Sequence, residues 1–504
     1  MNEKLKGIVI GGVVLAALGG TLAVMKFTGL DTPADNSSDT AATSSHQHTD
    51  ESVQLIDKTA ADIKSIDVTN EFGGFTYTGA SDSGKETSGI AELKGLQLKT
   101  RTVSDIGEDT AQLKANKLVE SGASDLAKYG LSDGAAQAEF AVHFTDSSER
   151  DFLIGIQAPQ NRYRYLREKD STDVYMVLES LIKPFLNRKE DLVDTTLIET
   201  PEETTEENTI AFGKLTVHRT DLDYDMVFEQ DDGNFEKSST NMVSAQVMTE
   251  PIFAYLDGTR STNVIYALYG LTAMTAEKVF PTEDDLKEYG LDEPRCVVTF
   301  VGNGYDYTLK VGKDLHEENE KGEEQTAVSA YYCTLDGVDG KDCIWKIDAS
   351  ALPYVTVMPN DIISTLMTWN MVTDVKEIKL SGETEDTFEI TTEGEGDDAQ
   401  ITAVSCNGSK IDVENFKGLY QYILTCPTKD GIWFEDPSGE PFRTIEIICH
   451  DGHTDKIELY KDTDRRAIVK LNGRTSYRIQ SKWADRLTKN IAAVKTGGTV
   501  EEDY

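Results

Sequence analysis

The chain has 504 residues, with 49 Lys and Arg against 89 Asp and Glu, for a formal net charge of −40. That length exceeds one compact core, because chains divide into domains of about 100–200 residues. That charge repels phosphate backbones and excludes nucleic acid as a partner.

Residues 7–25, GIVIGGVVLAALGGTLAVM, carry no charge. A helix of that length spans about 28 Å, close to the hydrocarbon thickness of a bilayer. Lys4 and Lys6 precede it, which predicts a transmembrane helix with its N-terminus inside. Residues 1–29 thus read as a membrane anchor, and the bulk of the chain as extracytoplasmic. A signal peptide cut at Ala17-Leu18-Gly19 is the alternative, with the same export. Residues 30–52 are small and polar and read as a disordered tether, with His46 and His48 solvated.

Residues 53–198 form the first module. IKSIDVTNEFGGFTYT (63–78) alternates around a turn and predicts two strands. GASDSGKE (79–86) has the glycine and lysine spacing of a phosphate-binding loop. Glu86 stands where a hydroxyl would hold magnesium, so the segment reads as a hairpin loop. DLAKYGLSDG (125–134) predicts a short helix and its stop. Leu126 and Tyr129 share one face, Gly130 ends the turn, and Leu131 packs on the segment after it. EFAVHF (139–144), DFLIGI (151–156) and DVYMVL (173–178) predict a meander, closed by the apolar stretch LESLIKPFL. The acidic run ETPEETTEEN (199–208) separates this module from the second.

Residues 209–372 repeat the plan. KLTVHRTDLDYDMVFE (214–229) is the opening hairpin. DLKEYGLDEP (285–294) restates the helix stop with Leu286, Tyr289, Gly290 and Leu291, and adds Pro294. CVVTF, YTLKVG, AYYCTL and CIWKI predict the meander, and DASALPYV closes it. DLDYDMVFEQDD (221–232) starts like a calcium loop. Met226 replaces the turn glycine and Asp232 the bidentate glutamate, so it reads as a strand with an acidic face.

Residues 373–492 form a third, degenerate module. VKEIKLSGETEDTFEIT (375–391) is its hairpin, and Glu440-Pro441 matches Glu293-Pro294, but the Tyr-Gly-Leu triplet is lost. HDGH (450–453) lacks the third ligand and closed shell of a zinc site and reads as a polar hairpin tip. Residues 493–504 read as a disordered tail. The expected fold class is α+β: an N-terminal transmembrane helix, then three tandem modules of antiparallel β-meander plus short helices.

Six cysteines are present and none forms a CxxC pair. They read as free, half-buried thiols. A disulfide between Cys333 and Cys343 is the alternative, if the two face each other across the TLDGVDGKD hairpin. There is no HExxH, GxSxG or GxGxxG motif. His143, His218, His316, His450 and His453 lie in the body without flanking motifs. No catalytic residue, cofactor or metal ligand is singled out, and the chain reads as a non-enzyme. Tyr163, Tyr165, Tyr331, Tyr332, Trp345 and Trp369 read as sheet packing.

The combination of YGLDEP before VTF, a hairpin ending in an isolated glycine (YTLKVG, FLIG), an AYY strand and a WKID strand resembles the DUF4340 family, a domain family of unknown function. The likeness covers residues 53–490 and is strongest in the second module; in the first, Gly134 replaces the proline of Asp-Glu-Pro. The resemblance implies an exported bacterial protein with one N-terminal membrane segment, often encoded near ABC-type transport systems of the gliding-motility class. It carries no catalytic residue. The expected function is therefore a membrane-anchored extracytoplasmic accessory or scaffold of such a transporter, with its subunits as partners. A surface protein binding cell-wall polymer through exposed tyrosines is the alternative, and an extracytoplasmic hydrolase a third.

Overall fold

A computed structural model describes residues 52–80, 87–132, 134–159, 161–200, 213–231, 243–302, 305–318, 322–394, 396–426, 429–432 and 435–503. The apolar run 7–25, the tether before Ser52 and most of GASDSGKE lie outside the described residues. Among the described residues no helix is long and apolar enough to cross a membrane.

Three antiparallel sheets share one strand order. In the second, Lys214–Arg219 pairs with Met226–Gln230 on one side and Cys296–Gly302 on the other. Val243–Glu250 and Ala254–Asp257 extend the first side. Tyr305–Glu318, Glu324–Asp336, Cys343–Asp348 and finally Thr275–Val279 extend the second. In the first sheet Ile63–Asn70 sits between Phe75–Thr78 and Ala138–Phe144. Glu149–Gln157, Tyr163–Glu168, Val174–Leu178 and Lys114–Glu120 come next outward, with Val53–Gln54 beyond them. In the third, Val375–Gly382 sits between Asp386–Glu393 and Arg443–Cys449, and Thr454–Thr463, Arg466–Leu471, Arg474–Gln480 and Lys429–Ile432 continue it outward.

The tandem modules are thus present, but the expected α+β character is corrected. The molecule is mostly β. The first Tyr-Gly-Leu helix is a single 3-10 turn, Ala127–Tyr129, and the second is six residues, Glu283–Glu288. Thr100–Ala111, Val413–Leu424 and Ser481–Lys495 are the longer helices. Helices shorter than about 12–15 residues are marginal alone, so these depend on packing against the sheets.

Residues 493–503 also depart from the expected disordered tail. The last helix runs to Lys495, and Asn490 then holds the main chain of Glu501 from both sides, Nδ2 to the carbonyl at 2.9 Å and Oδ1 to the amide at 3.0 Å. The chain divides into two compact units. One comprises Met1–Ser88, Ser104–Asn187 and Pro201–Ile210; the other comprises Gly89–Val103, Arg188–Thr200 and Ala211–Tyr504.

Each module pins its closing segment at one topological position, the end of the ladder between hairpin and meander. Asn70, opposite Ala138, donates to the carbonyls of Phe185 and Asn187 at 3.0 and 2.8 Å. Arg219, opposite Cys296, donates to the Val357 carbonyl at 2.7 Å. Arg443, opposite Gly382, donates to the Thr488 hydroxyl at 2.7 Å and to Glu383 at 3.0 Å. Three chemistries do one job: each ties the covering turn or helix to the sheet. Arg443 is 0% exposed, so shortening it removes packing as well as charge. Arg443→Met is expected to destabilise the second unit by about 3 kcal/mol, and Asn70→Ala the first by about 1–2 kcal/mol, read from urea unfolding midpoints.

Candidate functional site

The repeated helix stop is a Schellman cap in both copies. Gly130 and Gly290 take φ of 66° and 69°, a region that favours glycine. The Leu131 amide bonds the Leu126 carbonyl at 3.0 Å, and the Leu291 amide bonds the Leu286 carbonyl at 2.7 Å. The two leucines at each stop are thus the apolar pair that accompanies this cap. Leu131 and Leu291 are buried; Leu126 and Leu286 are half-buried. Tyr129 packs edge-on against Tyr165 with ring centres 4.8 Å apart, and Tyr289 against Tyr332 at 4.6 Å. Pro294 is half-buried in the turn before Cys296–Gly302.

The isolated glycine of the adjoining hairpin belongs to the same device. A methyl group on Gly155 would lie 2.2 Å from the Tyr129 carbonyl oxygen, and one on Gly312 2.4 Å from that of Tyr289. So the signature residues meet in space, and their chemistry is spent on seating the stop upon the sheet. The sequence shows Gly155 and Gly312 as part of the pattern but not their place against the tyrosines, because the contact is between backbone and strand.

Cys333 and Cys343 do not face each other, which corrects the disulfide alternative. The strands do pair, but their register sets Cys333 opposite Trp345 and leaves Cys343 opposite Val279. All six cysteines are free and buried. Burial pushes the Cys296 and Cys343 thiols up to about 12 and Cys406 up to about 11.

Four of the five body histidines meet carboxylates. His143 Nε2 lies 2.9 Å from Asp67, His218 Nδ1 2.7 Å from Asp225, His316 Nε2 3.9 Å from Asp314, and His453 Nε2 3.0 Å from Asp455. In a hydrolytic triad the imidazole stands between carboxylate and hydroxyl. Here the order differs. Thr76 donates to Asp67 at 2.8 Å, and Thr368 donates to Asp455 at 2.5 Å. The carboxylate stands in the middle, so the imidazole is not placed to take the hydroxyl proton.

The most developed polar cluster surrounds the buried Asp455. One oxygen takes Thr368 Oγ1 and Asn370 Nδ2, both at 2.5 Å; the other takes Asn472 Nδ2 at 2.9 Å and His453 at 3.0 Å. Tyr420 donates to the Asn370 carbonyl at 2.7 Å. Thr368 and Asn370 precede the third sheet, and Asp455 lies within it, so these two donors fasten the linker to that sheet. His453 of HDGH and Asn472 hold the other carboxylate oxygen from hairpin tips of the same sheet. In the calcium-like stretch, Asp221 pairs with Arg219, Asp225 with His218, and Met226 is buried; Asp232 lies outside the described residues. Among the described residues no three His, Cys, Asp or Glu side chains gather to hold a metal ion.

A family model described as "Domain of unknown function (DUF4340)" matches residues 89–250 and again 247–422, together more than half of the chain. The chain belongs to that family. No curated protein and no solved structure matches it. Each matched span begins partway through one module and ends partway through the next, so the family unit is the same repeat in a shifted phase.

Gly155→Ala and Gly312→Ala are each expected to cost about 3 kcal/mol, since a backbone carbonyl blocks the methyl group and has no rotamer to yield. Urea unfolding measures this, with Gly439→Ala, whose Cβ would meet open space, as the comparison for local strain. A thiol reagent at pH 8 is expected to react slowly with the native chain and to titrate six thiols once guanidinium unfolds it.

Proposed function

We propose that this DUF4340 chain is a membrane-anchored extracytoplasmic scaffold, an accessory of an ABC-type transport system, and not an enzyme. The observation that carries this reading is where the repeated residues go. Leu126, Tyr129, Gly130, Leu131 and their counterparts Leu286, Tyr289, Gly290 and Leu291 build the module itself. A chain that repeats a fold and spends its recurrent side chains on that fold suits reach and multivalent contact better than chemistry at one centre. The apolar run 7–25 behind Lys4 and Lys6 supports the anchor, and the net charge of −40 suits a solvated body with a basic partner. The transporter partnership rests on the family resemblance.

The wall-polymer alternative needs rows of tyrosines turned to solvent. Tyr165 and Tyr332 are engaged by Tyr129 and Tyr289, and Tyr331 is buried with the Arg295 guanidinium 5.6 Å from its ring. Three of the four tyrosines singled out in the sequence are thus engaged in packing, so the scaffold reading is preferred.

The test is crosslinking of the full chain in its own cells, then mild detergent extraction and identification of the proteins that co-purify. Permease and ATPase subunits are expected, and are expected to vanish when residues 31–504 are deleted. Recovery of neither, with the protein instead retained on purified wall polymer, would sink the transporter reading.

A further inference from the structure

A second repeat runs ahead of each module. The Leu55 and Ile56 amides both bond the Leu113 carbonyl, at 2.9 and 3.1 Å. The Leu197 and Ile198 amides both bond the Leu271 carbonyl, at 2.8 and 3.2 Å. The Met367 amide bonds the Leu424 carbonyl at 2.7 Å. The bridges agree residue by residue: Gln54 pairs with Lys114, Thr196 with Thr272, and Leu366 with Thr425. In every case an extended segment preceding a module pairs antiparallel with the short stretch that leads into that module's outermost meander strand.

The occupants are alike in sequence. Gln54-Leu55-Ile56-Asp57 and Thr196-Leu197-Ile198-Glu199 share one pattern; in the third, the bridge register sets Leu366 at the polar position, Met367 at the leucine position and Thr368 at the isoleucine position. Leu55, Ile56, Leu197, Ile198, Leu366 and Met367 are buried. A polar side chain also holds a carbonyl in, or within two residues of, each occupant. Arg150 donates to Leu55, the buried Lys341 to Asp194 at 3.1 Å, and Tyr420 to Asn370 at 2.7 Å. Gln112 adds a bond to the Lys58 carbonyl at 2.6 Å. Main-chain pairing supplies affinity and apolar side chains supply choice, as in peptide recognition by strand addition.

We propose that the first two modules each carry a strand-addition site for a short segment of the type polar-Leu-Ile-acidic, filled in cis by the residues that precede it, and that the third keeps the same pairing with a different segment. In the first module the occupant is residues 53–58, so the end of the tether is a built-in ligand of the body. This holds whether or not residues 7–25 cross a membrane. A free segment of the same type, from a second copy or another protein, can enter only when the cis occupant leaves, because a tethered ligand acts at an effective concentration of mM order.

The test uses the full chain carrying Leu55→Asp and Ile56→Asp, and two labelled peptides, SVQLIDKTA (residues 52–60) and VDTTLIET (residues 193–200). Both peptides are expected to bind the variant at micromolar concentration by fluorescence anisotropy. They are expected to bind the unaltered chain at least about tenfold more weakly. A peptide with both apolar residues changed to Asp is expected not to bind. Absence of binding by a variant that keeps its far-ultraviolet dichroism overturns the proposal, and so does equal binding by the unaltered chain. Should the variant fail to fold, hydrogen exchange in the unaltered chain decides. Amides of Ile56 and Lys58 are expected to exchange at least about tenfold more slowly than open chain, and free exchange there overturns the proposal.

Discussion

One antiparallel ladder makes each module a single sheet: the first hairpin strand paired with the first meander strand. Ile66 meets Val142, Val217 meets Val298, and Ile378 meets Ile447, all buried. The hairpins and the meander steps are local, whereas this ladder closes a long loop, as does the pairing of the outer strand with the last meander strand (Ala115 with Val177, Thr275 with Lys346, Lys429 with Ile479). The cost of closure grows only slowly with length. The closing segment is then tied to the end of the same ladder, by Asn70, Arg219 or Arg443. The ladder therefore sets both the width of the sheet and where its cover sits.

That constraint also separates what the sequence discloses from what it hides. Alternation in EFAVHF and CVVTF shows which side chains face inward, and both segments are strands with that alternation of burial. The Tyr-Gly-Leu triplet shows a stop, because only a left-handed residue after a short turn needs that glycine. But a period of two names a face, not a partner. Hairpin and meander thus look like separate pieces until the ladder joins them. Lys114–Glu120 is silent in the sequence, since KANKLVE carries little apolar alternation and its strand lies near the sheet edge. The register of Cys333 against Trp345 is equally hidden, because hairpin pairing is fixed by strand offset rather than by the cysteines themselves.

The local polar chemistry obeys the same division. At Asp67 and Asp455 the carboxylate, and not the imidazole, is the hub that the hydroxyl and the histidine share. At Asp455 the hub is buried, and four donors are what make burial of a carboxylate tolerable. Thr368 and Asn370 supply two of them from the linker, so the polar cluster ties the approach to the third module to its sheet.

The third module shows which parts of the plan are dispensable. It has lost the Tyr-Gly-Leu stop, yet it keeps the strand order, the anchoring residue and the paired segment ahead of it. Trp483 stacks on Tyr422 with ring centres 5.5 Å apart, and its indole donates to the Thr425 carbonyl at 3.1 Å. Thr425 is the very residue that pairs with Leu366. Tyr422 and Trp483 come from the two long helices of this module, Val413–Leu424 and Ser481–Lys495. These two helices thus secure the segment that leads into the third module. Strand order persists because no local substitution can replace a ladder that joins two distant hairpins.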